Sequence, residues 1–171
     1  WTACALQRPE MNSKASSGIA DEFNPRLGIF YYIIDWGDSK AADATVTIER
    51  DGEYFRMVAD EETTKFLDRI YRTKYRGETV IRAHDLSPMQ TVINAQKGKR
   101  KKVQEIRYRA DGGVETVVTK TKPGTPLEIE AYLINKETFA IDMFAAIFLA
   151  RSFEWQVNES QQFEVFTENK L

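Results

Sequence analysis

A chain of 171 residues fits one domain and can bury a substantial core. Its net charge of −2, with 29% charged and 12% aromatic residues, excludes a global field for nucleic acid or anionic lipid and excludes a disordered composition. The single cysteine, Cys4, excludes an internal disulfide, and no run of about 18 apolar residues is present to span a bilayer as a helix.

The chain opens Trp1-Thr2-Ala3-Cys4-Ala5. Ala3-Cys4-Ala5 follows the small-x-small pattern that ends a secretory signal. Thr2-Ala3-Cys4 also resembles the end of a bacterial lipobox, whose cysteine takes lipid, although Trp1 stands where an aliphatic residue is expected. The expectation is a periplasmic or cell-envelope location, with Cys4 the candidate for lipidation. Residues 9–25 are polar, with Pro, Ser and Gly, so residues 1–25 read as a flexible arm and residues 26–171 as one β domain.

Strand signals begin after Arg26. Residues 27–36, LGIFYYIIDW, are aromatic and β-branched, the composition of a strand buried on at least one face. A turn at Trp36-Gly37-Asp38-Ser39-Lys40 leads into residues 42–50, where Ala44, Val46 and Ile48 alternate with Thr45, Thr47 and Glu49. Asp51-Gly52 predicts a two-residue hairpin turn. Its partner strand covers residues 53–64, with Tyr54 or Phe55 set alongside Met57 and Ala59. Residues 65–72, KFLDRIYR, read as a short helix. Strand text resumes over 78–86 and ends at Ser87-Pro88.

Two further strands, 89–96 and 101–110, flank a basic tip. Val103, Ile106 and Tyr108 do not alternate, which predicts a bulge. Asp111-Gly112-Gly113 turns the chain into a strand at 114–122, residues 123–126 form a loop, and residues 127–134 are ambiguous between strand and helix. The turn spacing predicts an antiparallel meander rather than βαβ units.

Residues 139–155, FAIDMFAAIFLARSFEW, stand out in a chain of mean hydropathy −0.48. Asp142 is a candidate N-cap for a helix running to about Arg151. Ten residues give about 15 Å, half a bilayer's hydrocarbon thickness, so the helix cannot span. A helix apolar almost all round is expected to be surrounded by protein. The predicted fold class is therefore mainly β, a curved antiparallel meander sheet or partly open barrel wrapped around one short buried helix, with Met143, Phe144, Ile147, Phe148 and Leu149 as filling. Residues 152–171 read as a turn followed by a strand in which Phe163, Val165 and Thr167 alternate with Glu164, Phe166 and Glu168.

The aromatic first strand with its turn, the TVTIERDGEYFRMVA hairpin, the Asp142-initiated helix ending Leu149-Ala150-Arg151 and the closing FEVFTENKL together resemble the bacterial exported family catalogued as domain of unknown function 3108. The resemblance covers about residues 26–171 and departs at Ala42, where the family favours glycine. It implies an envelope location and a curved, mostly antiparallel architecture, and it carries no catalytic residues. In that family further strands follow the position of Leu171, so the resemblance implies that this chain stops inside its domain and leaves the 163–171 strand as an open edge.

No chemical signature stands out. His84 is the lone histidine, and its neighbours Asp85 and Ser87 lie in a strand-like stretch that points adjacent side chains to opposite faces. One His and one Cys far apart make no zinc site. Neither a P-loop nor a GxGxxG is present, no cofactor is expected, and Asp60-Glu61-Glu62 read as a solvated strand end. The sharpest charge feature is residues 97–102, KGKRKK, whose Lys97, Lys99, Arg100, Lys101 and Lys102 are candidates for an anionic surface. No aromatic side chain is interleaved with them, which disfavours nucleic acid.

The leading expectation is a non-enzymatic envelope protein that holds an apolar or lipid ligand in its sheet, with Phe30, Tyr32, Ile34, Phe144, Ile147 and Phe148 as lining. The alternative is an assembly module that pairs with an envelope partner through an open edge strand; an unrecognised hydrolase is a third.

Overall fold

The structure is a computed structural model that describes residues 25–64, 72–134 and 143–152. Eight strands, β1 (Gly28–Trp36), β2 (Ser39–Asp51), β3 (Tyr54–Thr63), β4 (Thr73–Arg82), β5 (Pro88–Lys97), β6 (Arg100–Tyr108), β7 (Val114–Thr121) and β8 (Glu128–Ile134), form one open sheet in the order β1 to β8. Every neighbouring pair is antiparallel. One helix, α1 (Met143–Ser152), lies on one face of that sheet. The expected meander is present, in its open form.

Three of the connections share one device. The pairs Trp36–Ser39, Asp51–Tyr54 and Lys97–Arg100 each close a two-residue loop whose first residue is Gly37, Gly52 or Gly98, at φ of 60°, 58° and 58°. The second loop residue keeps a negative φ. Glycine first in a two-residue loop gives the primed turn whose twist matches that of the flanking strands.

Cross-strand register fixes the two faces, because directly paired residues point to the same side. The face that carries α1, the inner face, takes Phe30, Tyr32 and Ile34 from β1, paired with Val46, Ala44 and Ala42 of β2. It continues through Ile48, Phe55, Met57 and Ile81, all nearly inaccessible. Further along it becomes mixed: Thr79 and Thr91 share a 3.0 Å hydroxyl contact and Gln104 and Thr116 are buried, beside a second apolar cluster of Ile106, Tyr108 and Val114. The outer face carries most of the charge.

Helix α1 buries Phe144, Ala145 and Phe148 against Ile48, Phe55, Met57, Ile81, Ala83 and Leu86. Phe148 meets Phe55 with ring centroids 5.5 Å apart, tilted by 31°. Residues 144 and 148 are one helical turn apart and therefore share a face. Ala145 lets the helix backbone come close to the sheet. Glycine at position 77, within β4, does the same from the other side: a Cβ added there would stand 2.3 Å from Cζ of Phe144. Burying two phenylalanine side chains contributes about 1.5–3 kcal/mol each, which outweighs the roughly 0.5–1 kcal/mol that glycine costs inside a strand.

Several expectations are corrected. The helix is not enclosed all round: Met143 and Ile147 are 51% and 44% exposed, because a single sheet covers one side of a rod. Register runs unbroken through β6 on both sides, so the expected bulge near Val103 is absent. The inward row is Gln104, Ile106, Tyr108, and the polar Gln104 hid its alternation. Register shifts instead occur at Ile34/Asp35 and Val80/Ile81. Strand β4 starts at Thr73, five residues before the expected 78, and ends at Arg82; Pro88 opens β5 rather than closing β4. Residues 127–134 resolve as strand β8. The expected arm up to residue 24, residues 65–71 of the expected 65–72 helix, the Asp142 cap and the strand at 163–171 lie outside the described residues.

The β4–β5 connection holds the one non-glycine residue at positive φ among the described residues, Leu86 at 55°. The left-handed conformation costs about 1–2 kcal/mol. Leu86 is 3% exposed within the α1 cluster, and leucine burial returns about 1.5–3 kcal/mol, so the core holds the turn in place. Asp85 ties the same turn, accepting from Ser87 N–H at 3.0 Å and Ser87 Oγ–H at 2.5 Å and pairing with Arg82 at 3.2 Å. Burial favours its neutral form, yet the Ser87 hydrogen bonds and the His84 and Arg82 charges outweigh that and hold its pKa below the ordinary aspartate value.

Two outcomes follow. Gly77→Ala should lower stability by about 1–3 kcal/mol through overpacking, read as the midpoint shift in urea denaturation. Adding Phe144→Leu should recover part of that loss, because the two positions are in contact; additive losses would remove the close approach as the cause. Asp85→Ala should cost about 1–3 kcal/mol near neutral pH. Since the folded-state pKa is depressed, this contribution is present above the unfolded value of about 4 and fades as pH falls through the folded value. Wild-type and variant denaturation midpoints should therefore converge in acid, and a pH-independent gap would contradict the assignment.

Candidate functional site

Sequence reasoning singled out two clusters, one apolar and one basic. The structure brings three of the six apolar candidates together. Phe144 and Phe148 are 4% and 1% exposed in the α1 core, and half-buried Phe30 packs against the same cluster with the Arg26 guanidinium 5.8 Å from its ring centroid. Tyr32, Ile34 and Ile147 stay out of that core, at 51%, 39% and 44% exposure. Phenylalanines 144 and 148 are thus sealed filling, whereas the inner face of β1 beyond Phe30 is an open apolar strip.

That strip has a counterpart on the other side of the same strand. Ile29, Tyr31 and Ile33 project from the outer face at 57%, 79% and 66% exposure. Strand β1 is therefore apolar on both faces, and among the described residues no strand pairs with its outer edge. Strand β8 is the opposite edge, with Ile129 and Leu133 also exposed.

Deeper on the inner face, under β6 and β7, Gln104 Oε1 and Thr116 Oγ1 are buried and have no hydrogen-bond partner among the described residues. Near them Lys120 donates to Glu130 at 2.8 Å, and Tyr132 donates to the same carboxylate. Those two hydrogen bonds, Lys120 first, pull the Glu130 pKa down despite desolvation.

An open depression of about 550 Å³ lies across the middle strands on the outer face. Its lining includes Asp60, Glu62, Lys74, Arg76, Asn94 and Lys101. Arg76 grips Asp60 through both carboxylate oxygens at 2.8 and 2.7 Å, and Lys74 pairs with Glu62 at 2.5 Å. These side chains are about half exposed, and such pairs are worth little individually. The depression is polar and its charges largely neutralise one another, which does not suit an apolar guest. Asp60 and Glu62 are thereby accounted for by cross-strand ion pairing; no group of three metal-ligating side chains occurs among the described residues.

The five basic candidates sit on the β5–β6 hairpin. Lys97, Lys99, Arg100 and Lys101 are exposed, and Lys102 is half-buried. Cys4 lies outside the described residues. His84 is 65% exposed on the turn beside Asp85, with Nε2 3.4 Å from Oδ2, while Ser87 bonds the other oxygen. The aspartate stands between serine and histidine, so the histidine is not placed to take the serine proton, as a serine nucleophile requires. No helix among the described residues is long and apolar enough to cross a membrane.

Gly77, Ala145 and Leu86 escaped sequence reasoning. All three are contact residues whose importance depends on what lies across from them, and a glycine inside a strand was the one available signal. No curated protein and no solved structure matches this chain. A family model does, from within the first strand to the last residue: over residues 31–171 the match is to the family described as protein of unknown function (DUF3108), and the chain belongs to it.

Proposed function

We propose that the chain is a non-enzymatic protein of the cell envelope that holds an apolar, lipid-like ligand against the inner face of its sheet. One observation carries the reading. Helix α1 covers the inner face over β2 to β4, yet Tyr32 and Ile34 of the same face are left exposed. Adjacent apolar side chains on a rigid sheet are suited to an alkyl chain, each buried CH₂ contributing about 0.8 kcal/mol.

Protein purified from a bacterial host should yield lipid on organic extraction and show the corresponding adduct in native mass spectrometry. The Tyr32→Ser, Ile34→Ser double variant should lose most of that adduct while keeping its fold, because neither side chain belongs to the α1 core. A wild-type protein that stays free of adduct after incubation with lipid would refute the proposal.

A second reading rests on the β1 edge, which no strand pairs with among the described residues and which is flanked by Ile29, Tyr31 and Ile33. The strand carries one charge, Asp35, and neither lysine nor proline, the residues that usually protect an edge. On this reading the chain is an assembly module that accepts a partner strand. Sedimentation of the wild type should show concentration-dependent association that Ile33→Lys abolishes; a strict monomer that also fails to take up a synthetic β1 peptide would exclude it.

A further inference from the structure

The basic run at 97–102 is absorbed by neither reading, and the fold enlarges it. Strand ends from β4 to β8 meet at one end of the sheet, bringing Lys122, at the close of β7, beside the hairpin. Lys97 pairs directly with Arg100, and Lys101 with Thr121. One step further in the same register, Arg100 stands opposite Lys122. With strands about 4.8 Å apart, Lys97, Arg100 and Lys122 form a cationic row about 10 Å long, and Lys99 and Lys101 flank it. Lys99, Arg100, Lys101 and Lys122 have no ion-pair partner among the described residues. Like charges directly opposite one another destabilise a sheet, and here the arrangement is built in twice over.

The row is also held in shape. Gly98 N–H donates to Arg72 O at 2.8 Å and Gln96 Nε2 to Gly98 O at 2.9 Å, tying the hairpin tip to its own strand and to the chain entering β4. Lys122-Pro123-Gly124-Thr125 is a closed turn: Thr125 donates to Lys122 O from N at 3.2 Å and from Oγ1 at 2.9 Å, with Gly124 at φ 77°. Proline then glycine at its centre fits the type II geometry. The same loop ends in Leu127, 59% exposed. Residues 97–102 and 122–127 include no aromatic side chain of their own on which bases could stack.

We propose that this end of the sheet docks on an anionic phospholipid bilayer, with Lys97, Lys99, Arg100, Lys101 and Lys122 against the phosphates and Leu127 entering the headgroup region. The assignment is independent of the ligand and edge readings above, since it uses neither β1 nor α1. A protein of net charge −2 would be repelled by such a membrane as a whole, so docking must be oriented, with the basic end foremost.

The test is co-sedimentation with phosphatidylcholine vesicles made with and without phosphatidylglycerol, using the full chain in a Cys4→Ser background so that no acyl chain contributes. Wild type should bind the anionic vesicles alone, and binding should fade as salt rises from about 0.1 M and the Debye length shrinks below about 10 Å. Each surface cation is worth about fivefold, so Lys99→Ser, Arg100→Ser, Lys101→Ser together should weaken binding roughly 100-fold. Lys99→Arg, Lys101→Arg should bind as wild type does. Circular dichroism checks the fold of each variant, and if the serine variant misfolds the wild-type salt titration and the arginine variant decide. Equal binding to both vesicle types, no binding by wild type, an unaffected serine variant, or tighter binding to a single-stranded oligonucleotide than to vesicles would each overturn the proposal.

Discussion

The seat of the Phe144 ring over Gly77 is the constraint on which the rest of the structure depends. An open sheet of eight strands has two faces and no inherent interior. The helix defines one, and it can do so because β4 withdraws its side chain at residue 77 and α1 withdraws its own at Ala145. Phe144 and Phe148 then reach Ile48, Phe55, Met57 and Ile81 in van der Waals contact. The energetic balance is plain: a fraction of a kilocalorie per mole in strand propensity is given up for several in aromatic burial.

Once that contact is made, the character of each surface follows from its distance from the helix. Under α1 the inner face is apolar and closed. Toward β6 and β7 it is buried and mixed, with Thr79, Thr91, Gln104 and Thr116 beside a second apolar cluster of Ile106, Tyr108 and Val114. Toward β1 it is apolar and open. The outer face is held by exposed cross-strand pairs such as Arg76–Asp60 and Arg56–Glu78, which orient strands more than they stabilise them. Two surfaces are out of balance: β1 is apolar and exposed, and the end of β5 to β7 gathers like charges.

The parts legible in the sequence were those set by neighbours along the chain. Gly52 announced its hairpin because a two-residue primed turn needs positive φ at that point, although the loop is Gly52-Glu53 rather than the expected Asp51-Gly52, and the alternation of Ala44, Val46 and Ile48 gave the correct face of β2. Reading failed where a residue's role depends on something across the sheet. Gln104 sits in an inward position and broke the apolar pattern, so a regular strand looked bulged. Thr73 to Gly77 hold a lysine, an arginine and a glycine and belong to β4 although the expected strand began at 78; Gly77 is there for the helix. The apolar helix looked as if it must be enclosed, whereas one side of it is open at Met143 and Ile147. The basic run was visible as a run, but Lys122, twenty residues beyond it, joins it only through register.

The order of elements has a consequence for how the protein is made. Each strand pairs with the one just before it, so the whole sheet can zip up by successive hairpin closures, each paying a small loop entropy. Its greasy side, Ile48, Phe55, Met57 and Ile81, is complete by the end of β4, while the helix that shields it comes from residues 143–152, some sixty positions later in the chain. During synthesis the first four strands therefore exist before α1 does, a state that exposes their apolar surface. For this architecture the hazardous moment is the wait for the helix, and that is the interval in which a chaperone would matter most.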